Sequence, residues 1–334
     1  MAENDDVLIE AADWLKKGKA TAVATVVSTW GSSPRLPGSM LAVNEDGKFV
    51  GSVSGGCIEG AVVEQGLAVM KDKKPRLLDF GITDDMAWDV GLACGGEMKV
   101  LVESAPDAQL LGRLMKDRPV ALVTDTKSGA HALVGLDKAE GSLAIDAAVL
   151  EKARTAIRED RSTTVDTAAG KLLVRVFNQP LRLIVAGAVH IAQSLVPMAR
   201  SAGFAVTVVD PRAAFATADR FPDTTLEVAW PDEVMGKLAP DHRTAVVTLV
   251  HDPKIDDPAL EAALRSKAFY VGALGSKATH AKRVARFKEK GFGDADLARI
   301  HAPIGLDLGG RKTSEIAVAI LAEAIAALHG KDRK

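Results

Sequence analysis

The stretch LRLIVAGAVHIA, residues 181–192, decides the fold of the second half of the chain. It begins as a short apolar strand, turns at a glycine and continues into a helical pattern. Further strands of the same kind follow, mostly separated by helical stretches, and they read FAVTVVD, TLEVA, TAVVTLV and AFYVGAL. Near-continuous apolar strands that alternate with helices are typical of a parallel sheet covered on both faces. The pattern therefore predicts an α/β, Rossmann-like domain over residues 180–334, with Pro180 at its boundary.

The turn after this first strand carries an altered dinucleotide fingerprint. The motif G-x-G-x-x-G/A needs small residues where the backbone approaches a pyrophosphate, with an acid about 20 residues later for the ribose. Gly187 and Ala192 fit, and Asp210 ends the second strand where the ribose acid would lie. Val189 replaces the second glycine, so we expect a Rossmann fold in which ordinary NAD(P) binding is disfavoured. Arg212 is interpreted either as a phosphate contact or as a surface arginine.

Candidate ligand contacts also follow the first and fourth strands of this domain. In the usual strand order, the ligand crevice lies beyond the carboxyl ends of these two strands. His190 follows the first, and the pair His251 and Asp252 follows the fourth, where it would contact a polar ligand, bind a metal or pack structurally. We interpret Asp257 and Pro258 as the N-cap and first residue of the next helix.

The turn after the fifth strand predicts an anion site. Gly275, Ser276 and Lys277 lead into a helix, and the N–H groups and dipole at a helix start favour a negative ligand. An anion contact is the favoured interpretation for Ser276 and Lys277. The buried stripe of this helix is expected to comprise Ala281, Val284 and Phe287. The basic residues farther along are expected on a solvated face, and they are Lys282, Arg283, Arg286 and Lys288.

The first half of the chain, residues 1–179, predicts an α+β domain. Its sequence mixes helical patterns with β-branched strands, and Asp46-Gly47 is a strong signal for a hairpin turn. Residues 105–178 carry no functional signal and are interpreted as a structural extension of this domain. The elements expected there are strands at Val120–Thr124, Ala132–Leu136 and Leu172–Phe177 and a helix near 148–158.

Both cysteines of the chain lie in this first domain, and each has glycine neighbours. Cys57 follows a small-residue turn in GSVSGGCIEG and lies near a predicted helix start, a position that lowers the pKa of a thiol. The small residues before it are Ser54, Gly55 and Gly56. Cys94 precedes Gly95 in GLACGGEMKV. Two thiols in similar settings favour a functional use of at least one of them over simple burial.

A second loop of the first domain, WGSSPRLPGSM at 30–40, places Arg35 between two prolines. Prolines restrict the backbone, so the guanidinium would be held in place for bidentate binding of a phosphate or carboxylate. The alternative interpretation is a hydrophilic turn.

Composition and charge exclude several classes of protein. A net charge of −2 over 334 residues argues against a general nucleic-acid binder, and 4% aromatic residues are too few for a base-stacking surface. Two cysteines 37 positions apart form neither a disulfide framework nor a CxxC zinc pattern. The sequence shows no signal peptide and no apolar run near the roughly 18 residues of a membrane span. We expect a cytoplasmic protein without nucleic-acid or membrane partners.

Several long motifs, in order, resemble the XdhC/CoxI family. They read GSSPRLPGSMLAV, GSVSGGCIEG and GLACGGEMKVLVE in the first half, and HDPKIDDPALEAALRSKAFYVGALGSKATHAKR and RIHAPIGLDLGGRKTSEIAVAILAE in the second. Residues 105–178 match only weakly. Members of this family are accessory proteins for molybdenum hydroxylases such as xanthine dehydrogenase or carbon monoxide dehydrogenase. They bind molybdenum cofactor, protect it while a cysteine desulfurase helps to install its terminal sulfido ligand, and deliver it to the apo-enzyme.

The resemblance implies a binding site for molybdenum cofactor (molybdopterin, in its mononucleotide or dinucleotide form), with Cys57 as the molybdenum contact. The residues implicated in binding are Arg35, Ser54, Gly55, Gly56, Cys57, Cys94, Gly95, Gly187, His190, Asp210, Arg212, His251, Asp252, Gly275, Ser276 and Lys277. Val189 departs from the family, which usually reads GAGH at this turn. The implied partners are the apo-enzyme of a molybdenum hydroxylase and a cysteine desulfurase, and a homodimer is among the assemblies that the sequence allows.

The sequence favours an accessory chaperone over an enzyme, because it shows no catalytic triad, no paired-carboxylate motif and no complete cofactor fingerprint. Two alternatives stay open. One is an NAD(P)-dependent oxidoreductase that uses His190 or His251 as its acid–base group. The other is a nucleotide or redox sensor in which Cys57 and Cys94 respond to oxidation.

Overall fold

The computed structural model of the protein describes residues 4–31, 35–81 and 96–331. Contacts within the chain separate two compact units, one that ends at Gln179 and one that begins at Pro180. None of the helices in the described ranges combines the length and apolar character needed to cross a membrane.

The N-terminal unit begins with a five-stranded antiparallel sheet in the order β3-β2-β1-β5-β4. Its strands are β1 (Thr21–Trp30), β2 (Met40–Asn44), β3 (Phe49–Gly51), β4 (Arg76–Phe80) and β5 (Glu97–Ser104). Helices α1 (Asp5–Lys16) and α2 (Glu59–Asp72) cover its two faces. Because successive side chains of a strand point to opposite faces, Val23 of β1 packs in the cluster of α1, and Ala22 and Ala24 pack in that of α2.

A second five-stranded antiparallel sheet completes the N-terminal unit, in the order β8-β7-β6-β10-β9. Its strands are β6 (Val120–Asp125), β7 (His131–Val134), β8 (Ala139–Gly141), β9 (Thr163–Thr167) and β10 (Gly170–Phe177). Two helices accompany it, α3 (Ala108–Lys116) and α4 (Ala147–Glu159). The strand expected at Ala132–Leu136 ends earlier, at Val134, because the N–H of Gly135 turns to the carbonyl of Lys138 at 2.8 Å.

The C-terminal unit is a six-stranded parallel sheet in the order β13-β12-β11-β14-β15-β16, which confirms the predicted fold class. Its strands are β11 (Arg182–Ala186), β12 (Ala205–Val209), β13 (Thr225–Glu227), β14 (Thr244–Thr248), β15 (Tyr270–Ala273) and β16 (Ile300–His301). The helices are α5 (His190–Ser201), α6 (Pro231–Leu238), α7 (Pro253–Arg265), α8 (Lys277–Glu289), α9 (Asp294–Leu297) and α10 (Thr313–Leu328). Helices α5 and α10 bury apolar side chains on one face of the sheet, and α6, α7 and α8 on the other.

This strand order places the switch point of the sheet between β11 and β14, as the sequence predicted. The loops that follow these two strands lie side by side at the carboxyl edge, where parallel sheets of this kind bind ligands.

The start of α7 differs from the prediction. The helix begins at Pro253, and the carboxylate of Asp252 caps it by accepting a hydrogen bond from the N–H of Lys254 at 2.9 Å. The interpretation of Asp257 and Pro258 as N-cap and first residue is therefore wrong, since both lie inside the helix. Two Asp-Pro starts compete in this segment, and the one directly after β14 is used because a proline suits the first helical position.

Candidate functional site

The turn before α2 is organised around Glu59, the first residue of that helix. Its side chain is buried, and its carboxylate accepts hydrogen bonds from the turn itself. The N–H donors are Val53 (3.2 Å), Ser54 (2.9 Å), Gly55 (3.1 Å) and Gly56 (2.9 Å), and the hydroxyl donors are Ser52 (2.7 Å) and Ser54 (2.5 Å). We call this arrangement the Glu59 clamp.

The two glycines make the Glu59 clamp geometrically feasible. Gly55 has a φ of 82° and Gly56 a φ of 120°, in the left-handed region that residues with a Cβ rarely adopt. This conformation directs consecutive N–H groups inward, as in the anion-binding turns of other proteins. Here these N–H groups bind the protein's own glutamate, so a ligand at this turn would contact other atoms.

The electrostatics of Glu59 agree with this geometry. Burial alone would raise the pKa of Glu59, but hydrogen bonds from the hydroxyl groups of Ser54 and Ser52 and from the backbone of the turn lower that pKa to about 2. The carboxylate is thus ionised at neutral pH and holds the turn as a charge-assisted network. The sequence analysis missed Glu59, although an acid in the first turn of a helix, directly after a glycine turn, is the available signal.

Cys57 lies immediately before α2 and is held by the same network. The hydroxyl oxygen of Ser54 accepts hydrogen bonds from the N–H groups of Cys57 and Ile58, both at 3.0 Å. The thiol is free, and its side chain is partly exposed at the edge of an apolar cluster that includes Ile58 and Val62. The backbone beneath the sulfur is therefore fixed, while the sulfur itself is accessible in part.

Other candidates in the N-terminal unit fall at or beyond the described ranges. Cys94 and Gly95 lie outside the described residues. Arg35 is partly buried and follows residues 32–34, which are also outside them. Their roles in binding stay predictions.

The first turn of the C-terminal unit packs tightly against the loop after β14. Gly187 has a φ of 115°, and a Cβ there would lie 2.4 Å from Cγ2 of Val250. The next candidates diverge in exposure: Val189, at the N-cap of α5, packs partly into the core, whereas His190 is exposed at the first helical position. The glycine of the altered fingerprint is thus required for packing between neighbouring loops.

Asp210, the candidate ribose acid, is fully buried and forms its hydrogen bonds within the unit. It accepts from the N–H of Ala188 at 2.8 Å and from the N–H, Nε and Nη2 of Arg212 at 2.9, 2.8 and 2.7 Å. Burial would raise the pKa of Asp210, but these hydrogen bonds, led by the Arg212 side chain, lower it. The guanidinium of Arg212 also lies 4.1 Å from the ring centroid of Phe215. The candidate acid and the candidate phosphate contact therefore bind each other.

The loops after β14 and β15 meet at His251 and Gly275. His251 is exposed and has a φ of 66°, which is uncommon for a residue with a side chain. Its N–H donates to Asp256 at 3.0 Å, and the N–H of Val250 donates to the same carboxylate at 3.3 Å. A Cβ at Gly275 would lie 3.5 Å from Nδ1 of His251. Two candidates from separate motifs are thus brought together, while Asp252 serves as the cap of α7.

A cavity of about 280 Å³ opens beside His251, between the start of α7 and helix α8. We call it the α7–α8 cavity. The charged and polar side chains that line it include His251, Asp256, Thr279, Lys282, Arg283 and Arg286. Burial raises the pKa of Asp256 to about 6, although hydrogen bonds from Val250 and His251 and the nearby Arg283 act in the opposite direction.

Arg283 is only 2% exposed, so the prediction that it lies on a solvated face is wrong. The buried residues of α8 are Arg283 and Phe287, four positions apart, whereas the expected stripe member Ala281 is exposed. Burial lowers the pKa of Arg283, against the opposing effect of Asp256 and Asp257.

The predicted anion residues at the start of α8 have local roles. Ser276 is the N-cap, and its hydroxyl accepts a hydrogen bond from the N–H of Thr279 at 3.2 Å. Lys277 is exposed. Neither residue lines the α7–α8 cavity, which lies beside the next residues of the same helix turn, Ala278 and Thr279. Within the three described ranges, no group of three or more histidine, cysteine, aspartate or glutamate side chains is arranged to hold a metal ion.

Comparisons with known proteins match both units. The family model of the XdhC Rossmann domain matches residues 183–324, and that of the XdhC and CoxI family matches residues 14–81. A relative from Escherichia coli named molybdenum cofactor insertion chaperone PaoD is 29% identical and aligns over 95% of this chain and 86% of its own length. A relative from Bacillus subtilis, named as one of the probable subunits of a xanthine dehydrogenase, is 26% identical, over 93% of this chain and 94% of its own length.

A solved structure has the same fold. It is a crystal structure from Bacillus halodurans titled as a xanthine dehydrogenase, with a TM-score of 0.79 and 25% sequence identity, and the match covers 100% of this chain and 97% of that one. Since family models match both units and relatives align along nearly the whole length, the chain belongs to the XdhC and CoxI family.

Proposed function

We propose that this protein is a maturation chaperone that binds molybdenum cofactor and inserts it into a molybdenum hydroxylase of the xanthine dehydrogenase type. The proposal is supported by the family and by the name of the Escherichia coli relative, a molybdenum cofactor insertion chaperone that aligns over most of both chains. The name of the Bacillus subtilis relative supports a hydroxylase as the client. In this proposal the cofactor is cargo, and the protein binds it and hands it over.

The observation that carries the proposal is the setting of Cys57. Its backbone is fixed by Ser54 and the Glu59 clamp, while its sulfur is partly exposed and has no disulfide partner. Thiolate is a soft ligand of the kind that suits a sulfur-ligated transition metal. A rigid backbone beneath an accessible thiol reduces the entropy lost when the cargo binds. Cys57 is thus our proposed molybdenum or sulfur contact, with Cys94 as its neighbour.

The finer steps of the proposal concern the partners. The chaperone would shield the cargo while a cysteine desulfurase supplies the terminal sulfur, and would then release it to the apo-enzyme in the cytoplasm. The Rossmann-like unit would hold the phosphate or nucleotide end of the cargo or form a docking surface. A role for this unit in ordinary NAD(P) chemistry is disfavoured by the engagement of Asp210 with Arg212.

The test is transfer of cofactor to the client. Protein purified with its cofactor is mixed with the apo-hydroxylase of the same host, and recovery of hydroxylase activity is followed over time. Wild type is expected to restore activity, and Cys57→Ser to restore at least about 10-fold less, as found for the loss of a metal contact. Glu64→Gln, at an exposed position of the same helix, is the matched control. Equal recovery with wild type and Cys57→Ser would remove Cys57 from the mechanism, and no recovery with wild type would overturn the function.

A further inference from the structure

The α7–α8 cavity contains a buried arginine whose hydrogen bonds are incomplete. Nε and Nη1 of Arg283 have no hydrogen-bond partner among the described residues, although the side chain is only 2% exposed. Nη2 donates to the carbonyl of Leu274 at 3.1 Å, and the nearest carboxylate oxygen, on Asp256, is 3.8 Å away. Buried guanidinium groups are normally satisfied by acceptors, because an unpaired buried charge is costly. Arg283 therefore offers two donors that lack an acceptor.

The charges around Arg283 leave the cavity receptive to an anion. Arg286 is neutralised by Asp257 through paired hydrogen bonds of 2.7 and 2.9 Å. Asp256 is the remaining carboxylate of the lining, opposite the two cations Arg283 and Lys282. The first turn of α8, with Ala278 and Thr279, also lines the cavity, and a helix start favours negative charge.

We propose that the α7–α8 cavity binds a phosphate-type oxyanion, with Nε and Nη1 of Arg283 donating to its oxygens and Lys282 completing its charge. The volume of about 280 Å³ suits a phosphate group with its ester linkage. It lies below the roughly 300–1,000 Å³ of sites that enclose a whole drug-sized ligand. The several oxygens of a phosphate match the two arginine donors, the lysine and the helix start better than the two oxygens of a carboxylate.

This site differs from the usual position of a phosphate in a Rossmann domain, which is the turn after the first strand. In this chain the N–H of Ala188 in that turn and the Arg212 side chain are already donated to Asp210. The α7–α8 cavity instead lies beyond the fourth and fifth strands, β14 and β15. The identification of the oxyanion as the phosphate of the cofactor cargo rests on the proposed function, whereas the anion site itself does not.

The experiment is isothermal titration calorimetry of the cofactor-free full chain in chloride-matched buffer. The probes are inorganic phosphate, glycerol 3-phosphate and succinate. Wild type is expected to bind glycerol 3-phosphate with a Kd of about 1 mM or tighter. Lys282→Ala should weaken this binding about 5-fold and Arg283→Gln about 30-fold, since charge-assisted hydrogen bonds contribute roughly 1–3 kcal/mol.

A matched control is available on the same helix. Lys288 pairs with Asp294 at 2.8 Å and does not line the cavity, so Lys288→Ala removes the same charge and should leave the affinity unchanged. Lys282 is exposed, so its variant is expected to fold even if Arg283→Gln does not. Equal weakening by Lys282→Ala and Lys288→Ala would overturn the site, as would the absence of saturable phosphate binding in wild type.

The probes separate the ligand classes. Tighter binding of glycerol 3-phosphate than of inorganic phosphate supports an esterified phosphate, the form present in the cargo. Tighter binding of inorganic phosphate overturns that assignment, and tighter binding of succinate overturns the phosphate class. Because no cofactor is present, a negative result here with intact cofactor transfer removes the anion site alone. A positive result with no transfer removes the chaperone function alone.

Discussion

Glu59 shows how one carboxylate determines the conformation of a functional turn. Its oxygens bind the N–H groups of residues 53–56, and the Ser54 hydroxyl extends the network to the N–H of Cys57. The sequence suggested that this glycine turn receives an external anion, because such turns often do. The sequence pattern cannot distinguish an external anion from an internal one, since both need the same backbone conformation. The structure assigns these N–H groups to Glu59.

Glu59→Gln should destabilise the N-terminal unit in a pH-dependent way. The pKa of Glu59 falls from 4.5 in the unfolded chain to about 2 in the folded protein. A lowered folded-state pKa gives stability that is fully present above pH 4.5 and is lost as the pH falls through about 2. We expect Glu59→Gln to cost about 2 kcal/mol at pH 7 and less than half of that at pH 3.

Urea unfolding of wild type and variant between pH 7 and pH 3 measures this difference. Glu64→Gln is the control, because Glu64 is exposed on the same helix and should change the free energy of unfolding only slightly at every pH. A Glu59→Gln effect that stays constant over this range would contradict the role of the ionised carboxylate.

Gly56→Ala should strain the turn without a steric clash. A Cβ at Gly56 would meet no atom within 4 Å, but the φ of 120° is unfavourable for alanine. We expect a loss of about 1–2 kcal/mol in the free energy of unfolding. Gly60→Ala is the matched substitution, because Gly60 is exposed in α2 with equally open space, and alanine there should stabilise by about 0.5–1 kcal/mol. Thermal unfolding of both variants compares the two signs, and a neutral Gly56→Ala would count against the constrained turn.

At the scale of elements, the two sheets of the N-terminal unit are joined by a buried ion pair. Nη2 of Arg175 in β10 lies 2.8 Å from Glu103 in β5, and the same guanidinium donates to Thr25 in β1 and Thr124 in β6, both at 3.0 Å. Burial raises the pKa of Glu103, while the charge and hydrogen bond of Arg175 oppose that rise. The pair therefore connects elements that are far apart in the sequence.

A double-mutant cycle tests this connection. Glu103→Leu and Arg175→Met should each cost about 3 kcal/mol, because each leaves an unpaired buried charge or polar partners, and the double variant should recover most of the loss. Asp166 and Lys171 provide an exposed control pair on neighbouring strands, 2.7 Å apart, with an expected coupling below about 0.5 kcal/mol. Urea unfolding gives the four free energies of each cycle. Similar couplings for both pairs would show that the buried pair has no special role.

Sequence patterns predicted elements with long apolar runs better than the other elements. The strands of the C-terminal unit were predicted because parallel strands buried on both faces read as unbroken apolar segments. Strands β8 and β16, with three and two residues, are too short to show a period, and all residues of β8 are exposed. The burial of Arg283 was missed because a basic residue within a basic helix carries no mark of its position relative to the core. Its role became visible only when α8 was placed beside α7.

For the whole molecule, the sequence reached the fold class and the family, and the structure supplied the chemistry of individual positions. The hydrophobic clusters of the described residues each belong to one of the two units, which fits the change of pattern at Pro180. Within the candidate site, long-range contacts decide what each residue is free to do. Asp210 and Arg212 bind each other, Asp252 caps a helix, and Cys57 retains a partly exposed sulfur.

The most direct test of the account is the molybdenum and molybdopterin content of protein purified from its native host. Wild type and Glu64→Gln are expected to carry cofactor in equal amounts, because Glu64 is exposed and lies outside the Glu59 clamp. Cys57→Ser, which keeps the N–H held by Ser54 and removes only the sulfur, should carry at least about 10-fold less. Equal content in wild type and Cys57→Ser would contradict the proposal that this turn presents a thiol to molybdenum.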